Sequence, residues 1–167
     1  MITDLIVDVD GTLVDTRHIV RRVLLGQQEG SIAEHAITAP PVTPIIEWVK
    51  AHQHTGTRIH ILTARYEDEA HWTTQLLTRL GITADTVSHQ PRGRYMIDTA
   101  WKRAWIQQHI PDTTRAIVID DNPYVADALA QLNIPVILVP GWDMLSTASP
   151  LETELPEGPI HDHRAFI

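Results

Sequence analysis

The sequence contains no cysteine and only one phenylalanine. The absence of cysteine removes disulfide scaffolds, thiolate metal sites and cysteine nucleophiles together. It fits a reducing compartment, and a cytoplasmic location is expected. No apolar run approaches the ~20 residues of a membrane-spanning helix. The start, Met1-Ile2-Thr3-Asp4, has neither the basic region nor the apolar core of a signal peptide, so no membrane association is expected. Positive charge is scarce: 13 Lys and Arg stand against 21 Asp and Glu, a formal net charge of −8. Such a chain has no broad field to attract nucleic acid, which counts against a tight duplex binder. It counts less against a protein that grips a single phosphate. The phosphate-cradling pattern G-x-x-x-x-G-K-[ST] is absent, as are internal repeats and low-complexity linkers.

What is present is an ordinary globular composition, 43% hydrophobic and 20% charged over 167 residues. That length suggests one domain, residues 1–167, able to bury roughly two-thirds of the surface of its unfolded chain. Strand-like apolar runs at 2–8, 57–63, 86–89, 115–120 and 135–139 alternate with helix-like stretches. The helices are expected at 17–28, from Thr43, at 67–80, at 98–109, and from Asn122-Pro123 to residue 132. Thr43 reads as an N-cap before Pro44, Gly81 as a helix stop and Asn122 as a second cap. From about residue 146 the chain is rich in Pro, Glu and His and is expected to be an irregular tail. Strand–helix alternation predicts an α/β fold: a three-layer, Rossmann-like parallel sheet of about five strands with helices on both faces. In such sheets the ligand site lies beyond the carboxyl ends of the strands.

Those ends are where reactive side chains collect. The first strand runs into Asp8-Val9-Asp10-Gly11-Thr12, the second into Thr63-Ala64-Arg65, the fourth into Asp120-Asp121-Asn122. Four carboxylates, a hydroxyl and a guanidinium are thereby expected at one edge of the sheet. Packed carboxylates repel one another, and a hard cation with oxygen ligands, Mg²⁺, is the expected remedy. An isolated Asp after a strand simply starts a turn; two pairs at two strand ends carry more information. The histidine pairs His52/His54 and His161/His163 have no third ligand nearby in sequence, so a zinc site is not expected.

The motif Asp8-Val9-Asp10-Gly11-Thr12-Leu13 after an apolar strand resembles the first motif of the haloacid-dehalogenase-like (HAD) superfamily. Thr63, Lys102 and Asp120-Asp121 resemble its second, third and fourth motifs in order and spacing. The resemblance implies a Mg²⁺-dependent phosphatase. Asp8 would attack phosphorus and form an aspartyl phosphate. Asp10 would protonate the leaving oxygen and then activate water. Asp8, Asp121 and the main-chain carbonyl of Asp10 would hold Mg²⁺. Thr63 would bind the phosphoryl group, Lys102 would neutralise charge on it and on Asp8, and Asp120 would orient Lys102 or support the metal. Backbone N–H groups at Gly11 and Thr12, with Ala64, would add phosphate contacts. An acid at position 10 favours a phosphatase over the superfamily's ion-pumping ATPases, which carry Thr there, and over its dehalogenases.

About fifty residues separate Asp10 from Thr63 and about forty separate Thr63 from Lys102, so neither gap holds a full cap domain. An open site suits a large substrate. Thr63-Ala64-Arg65, with Asp98 four residues before Lys102, also resembles the phosphatase domain of bacteriophage polynucleotide kinase. That implies removal of 3′-phosphates from DNA or RNA ends or nucleotides, with Arg65 binding phosphate and any kinase or ligase partner a separate protein. A 5′-nucleotidase, another small-molecule phosphatase, or a non-catalytic binder of phosphate or nucleic acid are the competing readings. Asn122 departs from that domain's pattern, which has Arg. Arg92 and Arg94 read mainly as ordinary loop charges, Trp142 as either a base-stacking or a packing residue, and Trp101, Trp105, Trp48 and Trp72 as core.

Overall fold

A computed structural model describes residues 1–92 and 97–140. Five strands, β1 (Asp4–Val7), β2 (Arg58–Tyr66), β3 (Thr86–Gln90), β4 (Ala116–Asp120) and β5 (Val136–Leu138), form one parallel sheet in the order β3-β2-β1-β4-β5. The central strand β1 is buried at every position, which is why its sequence, DLIV, does not alternate with polar residues. Among the described residues six α-helices accompany the sheet: α1 (Arg17–Leu24), α2 (Ile32–Ala36), α3 (Thr43–Gln53), α4 (Ala70–Leu80), α5 (Asp98–His109) and α6 (Pro123–Ala130).

Alternate strand residues point to opposite faces, and they divide the interior in two. Leu5, Val7, Ile59 and Ile61 pack with Ile46 and Val49 of α3 and Leu76, Leu77 and Leu80 of α4. Ile6, Leu62 and Val118 pack with Trp105 and Ile106 of α5 and Val125 and Leu129 of α6. The result is the expected three layers, with helices on both faces. Only the short helices α1 and α2 lie between β1 and α3, too little for a full cap domain.

The limits of α5 are those expected, and Gly81 ends α4 in the left-handed region at φ 66°. Asn122 caps α6, its side chain accepting from the Tyr124 N–H. Other expectations need correction. Thr43 is the first residue of α3 rather than its cap; the capping position is Val42, whose side chain has no oxygen to offer. The stretch at 67–80 is not one helix: Glu67–Glu69 is a 3₁₀ turn before α4. Helix α1 stops four residues short of 28, and α6 ends at Ala130. Edge strand β5 is shorter than expected, Val136–Leu138. The tail from residue 146 lies outside the described residues, as do Gly93, Arg94 and Trp142. No helix among the described residues is long and apolar enough to cross a membrane.

One difference matters for chemistry. Strand β2 runs past the expected end at Thr63 to Tyr66. It pairs with β3 at Leu62↔Ser88 and then at Tyr66↔Gln90, so four steps along β2 match two along β3. The extra residues form a bulge over Thr63-Ala64-Arg65. A bulge bends a strand and re-aims its side chains, here at its carboxyl end.

Candidate active site

Strands β1 and β4 are neighbours in register, Val7 beside Ile119. The chain therefore leaves both strands at one place, with the Asp8 N–H donating to the Ile119 carbonyl at 3.0 Å. After Asp8 it turns tightly: the Leu13 N–H reaches the Val9 carbonyl at 2.9 Å and the Gly11 N–H the Val14 carbonyl at 2.9 Å. Gly11 sits at φ +83°, a conformation other residues avoid. A Cβ there would stand 1.9 Å from Oδ2 of Asp121. The turn and the second carboxylate of the Asp120-Asp121 pair are thus in contact, and only glycine fits between them.

Lys102, on the second turn of α5, lies buried among three carboxylates. Its Nζ donates to Oδ1 of Asp8 at 2.9 Å and to Oδ2 of Asp120 at 2.8 Å, and stands 3.2 Å from Oδ2 of Asp98 one helical turn earlier. Asp120 also accepts from the Asn122 N–H at 2.9 Å through its other oxygen. Burial alone would lower the Lys102 pKa, but Asp120, Asp8 and Asp98 outweigh it and hold the ammonium charged, well above its ordinary range. One cation does not balance these acids. Burial first, then repulsion from neighbours, pushes Asp8 up to about 7 and Asp121 up to about 8. Asp98 and Asp120 are raised for the same reasons, burial foremost.

An excess of buried negative charge is the condition that a hard cation relieves. Oxygens of Asp8, Asp120 and Asp121 lie within 4.8 Å of one another. This donor set, all carboxylate, suits Mg²⁺ rather than a nitrogen- or sulfur-seeking metal. The Asp10 side chain is not part of that cluster.

Asp10 is held from the other side. Arg65 donates from Nε to Oδ2 and from Nη2 to Oδ1, both at 2.7 Å, a two-point clamp with the guanidinium buried. Its Nη1 reaches the Thr73 hydroxyl at 3.3 Å. The β2 bulge makes this possible by aiming Arg65 inward, where a helix-opening residue would have been solvated. The same bulge brings Thr63 into the interior, its Oγ1 accepting from the Arg65 N–H at 3.2 Å. Ala64 is half-buried beside it. Thr12 is fully buried, and its hydroxyl, with Oδ1 of Asp98, has no hydrogen-bond partner among the described residues. Buried polar atoms are almost always paired, so an unpaired hydroxyl in the turn after Asp8 is suited to a ligand oxygen.

Two residues escaped sequence reading as parts of this site. Thr73 is a buried threonine inside α4, and nothing in its sequence context links it to Arg65. Asn122, read as a cap and as a departure from the resembled domain's Arg, also ties the acid pair to α5, its Nδ2 lying 3.5 Å from Oδ2 of Asp98. Arg92 pairs with Asp68 at 2.6 Å and lies over the Tyr66 ring. Trp105 is core, whereas Trp101 is only partly buried and donates from its indole N–H to the Thr63 carbonyl at 3.2 Å. His52 packs on Trp48 and bonds its carbonyl.

No family model matches the chain, and no curated protein matches it. Solved structures do. CbbY from Rhodobacter sphaeroides in complex with phosphate superposes with a TM-score of 0.63 at 15% identity, over 84% of this chain and 87% of that one. A haloacid dehalogenase-like family protein from Streptococcus pneumoniae does so with a TM-score of 0.51 at 16% identity, over 82% and 84%. The chain has the haloacid-dehalogenase-like fold. A chain in the structure of a Pnkp1/Rnl/Hen1 complex shares this HAD fold with a TM-score of 0.66 at 22% identity, over 83% of the present chain. The present chain spans only 46% of that one, so the likeness concerns one portion of a longer protein.

Proposed function

We propose that the protein is a divalent-cation-dependent phosphomonoesterase that works through an aspartyl phosphate on Asp8, with 3′-phosphorylated nucleic-acid ends or nucleotides as substrate. The observation that carries the chemistry is the position of Lys102, hydrogen-bonded at once to Asp8 and Asp120 beside Asp121. Asp8, Asp120 and Asp121, with the Asp10 carbonyl, would hold Mg²⁺, which when bound supplies positive charge to phosphoryl oxygens and to the acids around it.

The chain's own groups divide the work. The Asp8 carboxylate attacks phosphorus as the bond to the leaving oxygen breaks, and Lys102 aims that carboxylate and favours its ionised form against its burial. Asp10, protonated, gives its proton to the departing alkoxide oxygen. In the second half Asp10 takes a proton from water, whose oxygen attacks the acyl phosphate and frees Asp8 and inorganic phosphate. Thr63, the unpaired Thr12 hydroxyl and the main-chain N–H of Ala64 serve the phosphoryl oxygens, whereas the Gly11 N–H expected to join them is spent on the Val14 carbonyl. Arg65 fixes the carboxyl of Asp10, with its Nη1 held by the Thr73 hydroxyl.

The substrate class has two supports. The segment between β1 and α3 holds only two short helices, too little for a full cap domain, and the fold is shared with part of a chain from an RNA repair complex. A kinase or ligase acting on the same ends would be a separate partner protein. A panel tests this: a 3′-phosphorylated oligonucleotide, its 5′-phosphorylated counterpart, a nucleoside 5′-monophosphate and a sugar phosphate, each with Mg²⁺ and with chelator. Mg²⁺-dependent release from the first is expected. Turnover of the nucleotide or sugar phosphate alone would replace the substrate class with a small-molecule one. No turnover of any would leave a non-catalytic binder.

A further inference from the structure

His89 stands on β3 between Ser88 and Gln90, which pair with Leu62 and Tyr66 of β2. It is therefore the β3 residue opposite the bulge that aims Arg65 inward. Its Nε2 lies 3.0 Å from the Thr73 hydroxyl, and that hydroxyl accepts from Nη1 of Arg65 at 3.3 Å. Arg65 in turn clamps both oxygens of Asp10 at 2.7 Å. Side chains from β3, α4, β2 and the turn after β1 thus form one chain of hydrogen bonds that ends on the proposed general acid.

The direction of each bond follows from what each group can offer. A guanidinium only donates, so the Thr73 oxygen accepts from Arg65 and keeps its own proton to give. Thr73 is fully buried, and among the described residues its hydroxyl meets only Arg65 and His89. A buried donor is almost always paired, so that proton goes to Nε2 of His89. Nε2 can accept only in the neutral ring, with the ring proton on Nδ1. The surroundings favour that form: burial first, then the charge of Arg65, lower the His89 pKa, against the opposite pull of Glu69 and Glu67. A protonated ring would donate from both nitrogens, leave the Thr73 proton without an acceptor and set a second cation behind Arg65.

Resting on the phosphatase reading, we propose that His89 is a positioning residue for the proton-transfer step, acting through the Thr73 hydroxyl to hold Arg65 against Asp10. Two nitrogens of the guanidinium are committed to the carboxylate, and Thr73 fixes the third. The plane of the guanidinium, and with it the Asp10 carboxyl, is thereby given one orientation. His89 and Thr73 reach the reaction only through where Asp10 stands, and small displacements of a reacting group are costly in rate.

The test combines ring state with kinetics. ¹⁵N NMR of the His89 ring, assigned by its loss in His89→Gln, should show Nδ1 protonated and Nε2 bare near neutral pH. The Arg65 Nε–H should exchange slowly in the wild type and faster in His89→Leu and Thr73→Val. In parallel, kcat is measured on p-nitrophenyl phosphate, whose leaving group needs no proton, and on a 3′-phosphorylated oligonucleotide or, should that not be a substrate, a sugar phosphate. His89→Leu should lose roughly five- to tenfold on the alkyl ester, the order of one net hydrogen bond, and little on p-nitrophenyl phosphate. His89→Gln, whose amide oxygen can accept from Thr73, should recover most of that loss. Thr73→Val should lose as much as His89→Leu, and the double variant no more than either. An Nε2–H or doubly protonated ring, equal losses on both substrates, or losses that add in the double variant would overturn the proposal and leave the phosphatase reading intact. The expected NMR result with no phosphate ester hydrolysed by the wild type would keep the hold on Arg65 and overturn the phosphatase reading instead.

Discussion

Arg65 closes on Asp10 through two hydrogen bonds of 2.7 Å, engaging both carboxylate oxygens. The residue expected to bind phosphate is thus bound first to the proposed general acid. For Asp10 to pass a proton to a leaving group, one of those two contacts must loosen. Arg65 sets where the carboxyl stands and how readily it turns.

Arg65→Ala should therefore damage the proton-transfer step. General acid catalysis contributes roughly 10²- to 10⁴-fold, and a loss of about that size in kcat is expected with an alkoxide leaving group. With p-nitrophenyl phosphate, whose leaving group needs no proton, the loss should be much smaller. Steady-state kinetics on both substrates checks this; equal losses would make Arg65 a phosphate ligand only.

Lys102→Met leaves Asp8, Asp98 and Asp120 buried without their counter-charge. Removing one partner of a buried ion pair costs about 3–5 kcal/mol, so a marked fall in Tm is expected near neutral pH. Lowering the pH protonates the acids and should recover part of that loss, a trend that thermal melts across pH would show.

Asp8 and Asp121 titrate near 7 and 8 in the folded chain, above the ~3.9 of an unfolded Asp. Between those values the folded state binds more protons than the unfolded one, so stability must fall as pH rises. Without divalent cation, Tm should decline from about pH 5 to about pH 8. Mg²⁺ displaces those protons, so its affinity should rise over the same range and its stabilising effect should be largest at the alkaline end. Calorimetry in buffers of different ionisation enthalpy would register the released protons.

Asp4 gives the opposite sign. Burial would raise its pKa, but hydrogen bonds from Arg58, His60 and Thr3 lower it below the ordinary carboxylate range. That contribution is present above the unfolded pKa and is lost as pH falls through the lowered one. Asp4→Ala leaves the Nε2 of buried His60, 2.8 Å from Oδ1 of Asp4, without its partner, and should cost about 1–3 kcal/mol. The destabilisation relative to wild type should shrink in acid.

Gly11→Ala separates site from fold. The added methyl meets Asp121 at 1.9 Å, so cation binding should fail more severely than folding. A Tm within a few degrees of wild type with Mg²⁺ affinity unchanged would contradict the close approach of the turn to Asp121.

Much of this was legible in the chain. Continuous apolar runs gave β1 and β4 because both faces are covered, and the acids after them marked the reactive edge. Helix α5 was readable to its ends, and Lys102 with it. The bulge in β2 was not readable, because register depends on which residues β3 offers opposite. The Arg65–Asp10 clamp follows from that bulge, so it too was hidden. Thr73 looks like any helix threonine until Arg65 is aimed at it. Trp101 passed for core because four-residue spacing with Trp105 is what a buried stripe shows, yet its indole N–H faces the site.

The role of Asp8 is tested most directly by acid-quenching a single turnover of a ³²P-labelled 3′-phosphorylated oligonucleotide with Mg²⁺ and mapping the label. The wild type should carry labelled phosphate on the peptide containing Asp8, and Asp8→Asn should carry none and release no phosphate while melting at or above the wild-type temperature. Phosphate release by Asp8→Asn at the wild-type rate, or label on another residue, would contradict Asp8 as the nucleophile.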